Sequence, residues 1–281
     1  MNVAILLSGH FRTTEYKTLF NFYKNNLIDI NKNYNFDFFI STWSDTGLRK
    51  KFDYDLDRNG GIVLGDKIEE QKIKDIFNPV FLKIENFEEK YDYFKQKTKK
   101  IYELRDEYIK NFLINPDLLY NRILANCSMW YKWSDVEKLK NNYKTSTNKK
   151  YDCVIKTRCD LIFRKPFPFD LKKYSNKKII TPPWPDTPGR PYSTDLNFNK
   201  QINDWWMAGD ESLIQIINSL YDSYETIFEE MKEPDKIKDF LNPHILPVYF
   251  LEKNGVDIAA IHRLPIECVS QTSILSRTNI F

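Results

Sequence analysis

An α/β fold built on a central, mainly parallel mixed sheet with helices on both faces is predicted by three short apolar runs and the helical stretches between them. Val3–Gly9 (VAILLSG) is a continuous apolar run ended by Ser-Gly, the pattern of a strand buried on both sides, and Phe36–Thr42 and Val80–Ile84 are further largely apolar stretches of strand length. Between the first two, Tyr16, Leu19, Phe20, Tyr23, Leu27 and Ile30 recur at helical spacing within Glu15–Ile30. Asp66–Phe77 reads as a second helix before the third run. This β-α-β-α-β alternation is the signature of a Rossmann-type parallel sheet.

The remaining elements are read the same way. Asn86–Lys110, dense in alternating charge and aromatics, is expected to form a surface loop and helix. Asn115-Pro116-Asp117 is a helix start, with Asn as cap and Pro in the first turn. Leu119, Ile123, Cys127, Trp130 and Tyr131 line its face to about Tyr143, and polar Thr145–Lys150 is expected to break it. Tyr151–Phe163 and Ile179–Thr181 follow as strands. Pro182–Asn203, with five prolines and a glycine, reads as a long ordered loop, a class that tends to be functional. Asn203–Gly209 is a predicted strand and Asp210–Phe228 an amphipathic helix. Pro243–Lys253 is a further helix, and Gly255–Ile261 and Cys268–Thr272 are late strands.

Composition narrows the function classes. The 281 residues are 42% hydrophobic and 29% charged, enough for a packed core and too evenly mixed for wholesale disorder. A net charge of +3, with the Lys95–Lys100 run flanked by acids on either side, argues against a nucleic-acid partner. The cysteines Cys127, Cys153, Cys159 and Cys268 lack metal-pair spacing and suit free thiols in a reducing compartment. No apolar run reaches the roughly 20 residues needed to span a bilayer, and no signal pattern opens the chain, so a cytoplasmic location is expected. The chain also lacks a GxxxxGK[ST] loop, a G-x-G-x-x-G turn after its first strand, a G-x-S-x-G elbow and an H-E-x-x-H pair.

The chemistry that remains centres on Lys156-Thr157-Arg158-Cys159-Asp160, a polar core bracketed by Val154-Ile155 and Leu161-Ile162-Phe163. Burying charge costs several kcal/mol per ion unless it is paired or bound to a cation. Two positions apart, Arg158 and Asp160 share one side of an extended strand. A divalent cation wants carboxylate oxygen, and a sugar-nucleotide diphosphate wants both the cation and a guanidinium. A structural Arg–Asp ion pair at a sheet edge is the alternative reading.

Tyr151-Asp152 through Val154-Ile155 into Thr157-Arg158-Cys159-Asp160-Leu161 resembles the "YD-x-VI-x-TR-x-D-L" segment of GT-A-type glycosyltransferases found among bacterial and large-virus surface-glycan enzymes. Ala4–Arg12 (AILLSGHFR) resembles the opening strand and nucleotide loop of that group, and Phe36–Trp43 its second strand. Asn203–Asp210 is similar to the acceptor-side strand and helix start. The resemblance implies a GT-A-like domain with a nucleotide-sugar half over about 1–163 and an acceptor half over about 164–281. It implies a UDP- or GDP-sugar donor, a glycan acceptor and a Mn²⁺ or Mg²⁺ ion. Ser8, Gly9, His10, Arg12, Thr42 and Arg158 would then hold the nucleotide diphosphate, and Asp160 the metal. The first acid of an Asp-x-Asp pair is absent.

For an inverting reaction the base that deprotonates the acceptor hydroxyl is expected to be Asp204, or failing that Asp210; Asp210 equally suits a helix N-cap. Trp205 and Trp206 suit either a sugar platform or the core. The resemblance also implies a C-terminal His in the metal shell, for which His262, after the late strand, is the candidate, with a structural role as alternative; His244 and His10 rank below it. A sugar-1-phosphate nucleotidyltransferase and an inactive nucleotide- or glycan-binding protein are the rival readings.

Overall fold

The computed structural model describes residues 1–47, 65–103, 116–163, 177–181, 202, 204–233, 236–257, 259, 261–263 and 272–274, the backbone alone for 102, 116–122, 163, 238, 262–263 and 272–274. Four strands run parallel: β1 (Asn2–Ser8), β2 (Asn35–Trp43), β3 (Phe81–Glu85) and β4 (Cys153–Arg158). Leu161–Phe163 forms β5, outside this sheet. β6 (Ile179–Thr181) and β7 (Trp206–Gly209) pair antiparallel with each other, and β7 joins antiparallel to β4. β8 (Ile261–Arg263) lies parallel to β6. The seven-stranded order is β3-β2-β1-β4-β7-β6-β8, while β5 pairs separately with β9 (Thr272–Ile274). The sheet is thus mixed and mostly parallel, and it spans both halves of the chain.

Alternation along the strands sends successive side chains to opposite faces. Val3, Ile5 and Leu7 pack with Tyr16, Leu19 and Tyr23 of α1 (Tyr16–Tyr23) and with Ile73 and Phe77 of α2 (Glu70–Phe77). Ala4 and Leu6 face the other way. They join Phe94 and Ile101 of α3 (Phe87–Glu103) and Trp130, Trp133 and Val136 of α4 (Pro116–Thr147). Helices therefore cover both faces, each fully buried large side chain contributing about 1.5–3 kcal/mol. Among the described residues, no helix is long and apolar enough to cross a membrane.

Several element boundaries differ from the sequence reading. The helix after β1 is α-helical only to Tyr23 and continues as a π-helical turn over Lys24–Ile28. Asn86–Lys110 holds the regular helix α3, held down by Phe87, Phe94 and Ile101 at seven-residue spacing. Thr145, Ser146 and Thr147 do not break α4 but form its last residues, with their hydroxyls donating back to the carbonyls of Asn141 and Tyr143. Asp210–Phe228 divides into α5 (Glu211–Asn218), a 3₁₀ segment (Ser219–Ser223) and α6 (Tyr224–Met231). The division falls at Asn218, whose buried side chain turns to Glu137 at 2.9 Å. A short α7 (Ile237–Phe240) precedes α8 (Leu246–Lys253), which carries Pro247 in its first turn. Gly255 closes α8 in a Schellman motif, with Val256 N–H bonded to Leu251 O and Gly255 N–H to Glu252 O, so the strand expected from Gly255 begins only at Ile261. The proline-rich Pro182–Pro191 stretch and most of Cys268–Thr272 lie outside the described residues.

The 32-residue α4 packs against the sheet and against the α5–α6 region, and several of its polar side chains, Lys132, Glu137 and Lys140 among them, are buried. Lys140, fully buried, sits 2.7 Å from Glu137 and 2.8 Å from Glu211. Removing one member of such a group leaves uncompensated buried charge. Lys140→Met is therefore expected to cost about 3–5 kcal/mol in urea unfolding. Lys138→Met, which breaks the exposed pair with Asp222, should cost under about 1 kcal/mol.

Candidate active site

In the sheet order, β2 and β3 lie on one side of β1 and β4 on the other. The chain leaves β1 towards β2 and returns beside it only through α4. The C-terminal ends of β1 and β4 thus flank a topological switch point, where loops diverge and α/β sheets bind ligands. A cleft of about 220 Å³ lies there. Ser8, Gly9, His10 and Arg12 line it from the end of β1 and the loop beyond, Trp43 and Gly47 from β2 and its loop, and Asn126, Lys132 and Trp133 from α4. Arg158, Asp160 and Asp204 complete the wall.

At its base is a carboxylate between two guanidinium groups. β4 ends at Arg158, and Asp160 sits in the tight turn before β5 rather than in the strand. Arg158 folds onto it side-on, with Nε 2.8 Å from Oδ1 and Nη2 2.8 Å from Oδ2. Arg12 Nε approaches Oδ2 at 3.1 Å. Asp160 is 1% exposed, whereas the Arg12 and Arg158 side chains are 16% and 20% exposed. Burial pushes the Asp160 carboxyl up, but the two guanidiniums outweigh it and hold the group below the ordinary carboxylate range. Arg12 has a left-handed backbone (φ 56°), a conformation costly for a residue with a Cβ and concentrated at functional sites. Arg158 Nη1 also lies 3.6 Å from Asp204 Oδ2.

The other wall presents neutral polar atoms. His10 Nδ1 lies 3.2 Å from the Asp45 carbonyl, an acceptor, so Nδ1 carries the proton and Nε2 keeps its lone pair. Burial depresses the imidazole to about 4 against the opposing influence of Asp45, so the ring is neutral at pH 7. Gly47 is needed beside it, since a Cβ there would come within 2.5 Å of the ring. Among the described residues, His10 Nε2 and Ser8 Oγ are both buried without a hydrogen-bond partner. An orphaned acceptor and hydroxyl in one cleft suit a ligand that brings its own polar groups.

Lys132, on α4, was not singled out by the sequence. It is fully buried, 2.8 Å from Glu85, 3.2 Å from Ser41 Oγ and 4.1 Å above the Trp43 ring. Ser41 in turn donates to Asp135 at 2.5 Å. A lysine inside the aromatic run Trp130-Tyr131-Lys132-Trp133 was the available signal. Lys156, buried in β4, stands over the Trp133 ring and donates to the Asp204 carbonyl at 3.3 Å, and burial lowers its pKa well below the ordinary lysine value.

Ser8, Gly9, His10, Arg12, Arg158, Asp160 and Asp204 therefore meet in one cleft. Thr42 is fully buried in β2, and its hydroxyl turns to the Trp43 carbonyl. Asp210 stands apart, because Gly209 pairs with Val154, at the opposite end of β4 from Arg158. It caps α5, accepting from the amides of Ser212 and Lys177 at 2.8 and 2.9 Å. Trp206 is packed in the core rather than offered as a platform. His244 lies 3.8 Å from Asp204 and 3.2 Å from the Ile202 carbonyl. His262 is on β8, three strands from β4, a lateral distance of about 14 Å, and its side chain lies outside the described atoms.

Among the described residues, the arrangement does not fit the expected Mn²⁺ or Mg²⁺ ion. Both Asp160 oxygens face guanidinium N–H groups, and Asp204, the other acid in the cleft, lies across Arg158. Among the described residues no three His, Cys, Asp or Glu side chains group as a metal site. The sequence matches no known protein family and no curated protein.

Two outcomes follow from this geometry. Asp210→Ala should cost about 0.5–2 kcal/mol of stability by calorimetry, the value of an N-cap, while leaving ligand binding in the cleft unchanged. The Asp160 ion pairs add stability that is complete above the unfolded carboxyl value of about 3.9 and lost as pH falls through the lower native one. The stability gap between the parent and Asp160→Asn, followed by urea unfolding, should narrow as pH drops below about 4.

Proposed function

We propose that this chain is a glycosyltransferase that moves a sugar from a UDP- or GDP-sugar to a hydroxyl of a glycan acceptor. One observation carries the reading: two guanidinium groups and a separate carboxylate share a cleft at the β1/β4 divide, Arg12 and Arg158 on one hand and Asp204 on the other. Guanidinium groups match the geometry and charge of a diphosphate. Ser8 Oγ and His10 Nε2 offer hydrogen-bonding capacity to the hydroxyls and N–H groups of a nucleoside. The resemblance of Ala4–Arg12 and Tyr151–Leu161 to GT-A enzymes supports the same assignment.

In this scheme the acceptor oxygen attacks the anomeric carbon and its proton passes to Asp204. The bond from that carbon to the diphosphate oxygen breaks, its electrons staying with the leaving group. Arg12 and Arg158 take up the charge that develops there. Diphosphate docking on Arg158 competes with Asp204, 3.6 Å from the same guanidinium, and so releases the carboxylate towards the acceptor.

The test is release of nucleoside diphosphate from a panel of UDP- and GDP-sugars with glycan acceptors. Asp204→Asn should lower kcat by about 10²–10⁴-fold without weakening donor binding. Pyrophosphate release from a nucleoside triphosphate and a sugar 1-phosphate, with no diphosphate release from any sugar nucleotide, would instead establish a nucleotidyltransferase.

A further inference from the structure

We infer that Arg12 and Arg158 form a seat for the diphosphate that works without a divalent cation, and that Asp160 is a positioning residue for these two arginines rather than a metal ligand. The inference rests on the nucleotide-sugar reading for the identity of the ligand, but its geometry stands independently.

A carboxylate that binds a cation must turn oxygen lone pairs towards open space. Asp160 does the reverse: it is 1% exposed and lies beneath the guanidiniums, which are the partly exposed groups. Arg158 spends one edge, Nε and Nη2, on the two oxygens, and this fixes the plane of its guanidinium. Arg12 reaches the same Oδ2 from a different loop, so one carboxylate sets the spacing of both cations. The left-handed backbone at Arg12 is part of the same construction, aiming a side chain that an ordinary turn would direct elsewhere. Preorganised donors of this kind can stabilise a developing diphosphate charge with little rearrangement.

The distinguishing experiment is calorimetric titration of the full chain with inorganic pyrophosphate in EDTA, and with Mn²⁺ alone. Pyrophosphate is expected to bind in EDTA, and Arg12→Ala or Arg158→Ala should each weaken it by roughly tenfold or more, the worth of a charge-assisted hydrogen bond. Asp160→Asn is the sharper variant. It removes a negative charge, so simple electrostatics predicts tighter anion binding; a positioning role predicts weaker binding. Circular dichroism checks that this variant folds, and Arg12→Lys, which keeps the charge but not the planar donor geometry, should also weaken binding.

Saturable binding of Mn²⁺ alone that Asp160→Asn abolishes would overturn the inference, as would pyrophosphate binding that is absent in EDTA. Pyrophosphate binding in EDTA with no response to any UDP- or GDP-sugar would support the seat and remove the donor assignment. Sugar-nucleotide turnover with an absolute Mn²⁺ requirement lost in Asp160→Asn would do the opposite.

Discussion

A carboxylate held out of water between two guanidiniums organises the end of this sheet. An isolated buried Asp160 would be strongly unfavourable, and either arginine without it would lose its fixed direction. The ion cluster ties the loop after β1 to the turn after β4, the two segments that the sheet order brings together but the chain keeps far apart. The cleft depends on that tie. Its floor is electrostatic, and its walls are the apolar strands and α4.

Polar groups elsewhere on the α4 face follow the same rule of compensation. Lys132 is matched by Glu85, Lys140 by Glu137 and Glu211, and Ser41 by Asp135. At the mouth of the site, among the described residues, Ser8 Oγ and His10 Nε2 are buried without hydrogen-bond partners, as are some polar atoms elsewhere, Trp130 Nε1 and Asn218 Oδ1 among them.

The sheet was legible because its strands are apolar on both sides. VAILLSG, Phe36–Thr42 and the Val154-Ile155 pair leave little choice but burial, and their order suggested the parallel arrangement. The site was legible in part: Arg158 and Asp160 stand together in the sequence, and Arg12 follows the first strand. Three things were hidden. The reach of Arg12 onto Asp160 depends on a left-handed backbone that no residue type announces at that position. Lys132 is invisible to periodicity because a lysine on a buried face reads as a solvated one. Asp210 carried two compatible meanings, and only the register of β7 on β4 set it at the opposite end of β4 from the cleft.

α4 gives the molecule a mechanical property. As an uninterrupted rod of 32 residues, about 48 Å long, it forms one wall of the cleft through Asn126, Lys132 and Trp133 and is pinned by Lys140 and Lys144 to Glu211 at the start of α5. Beside the cleft the same helix is tied to the sheet, through Lys132 and Tyr131 to Glu85 and through Asp135 to Ser41, so this wall is anchored to β2 and β3 at mid-length and to α5 further along.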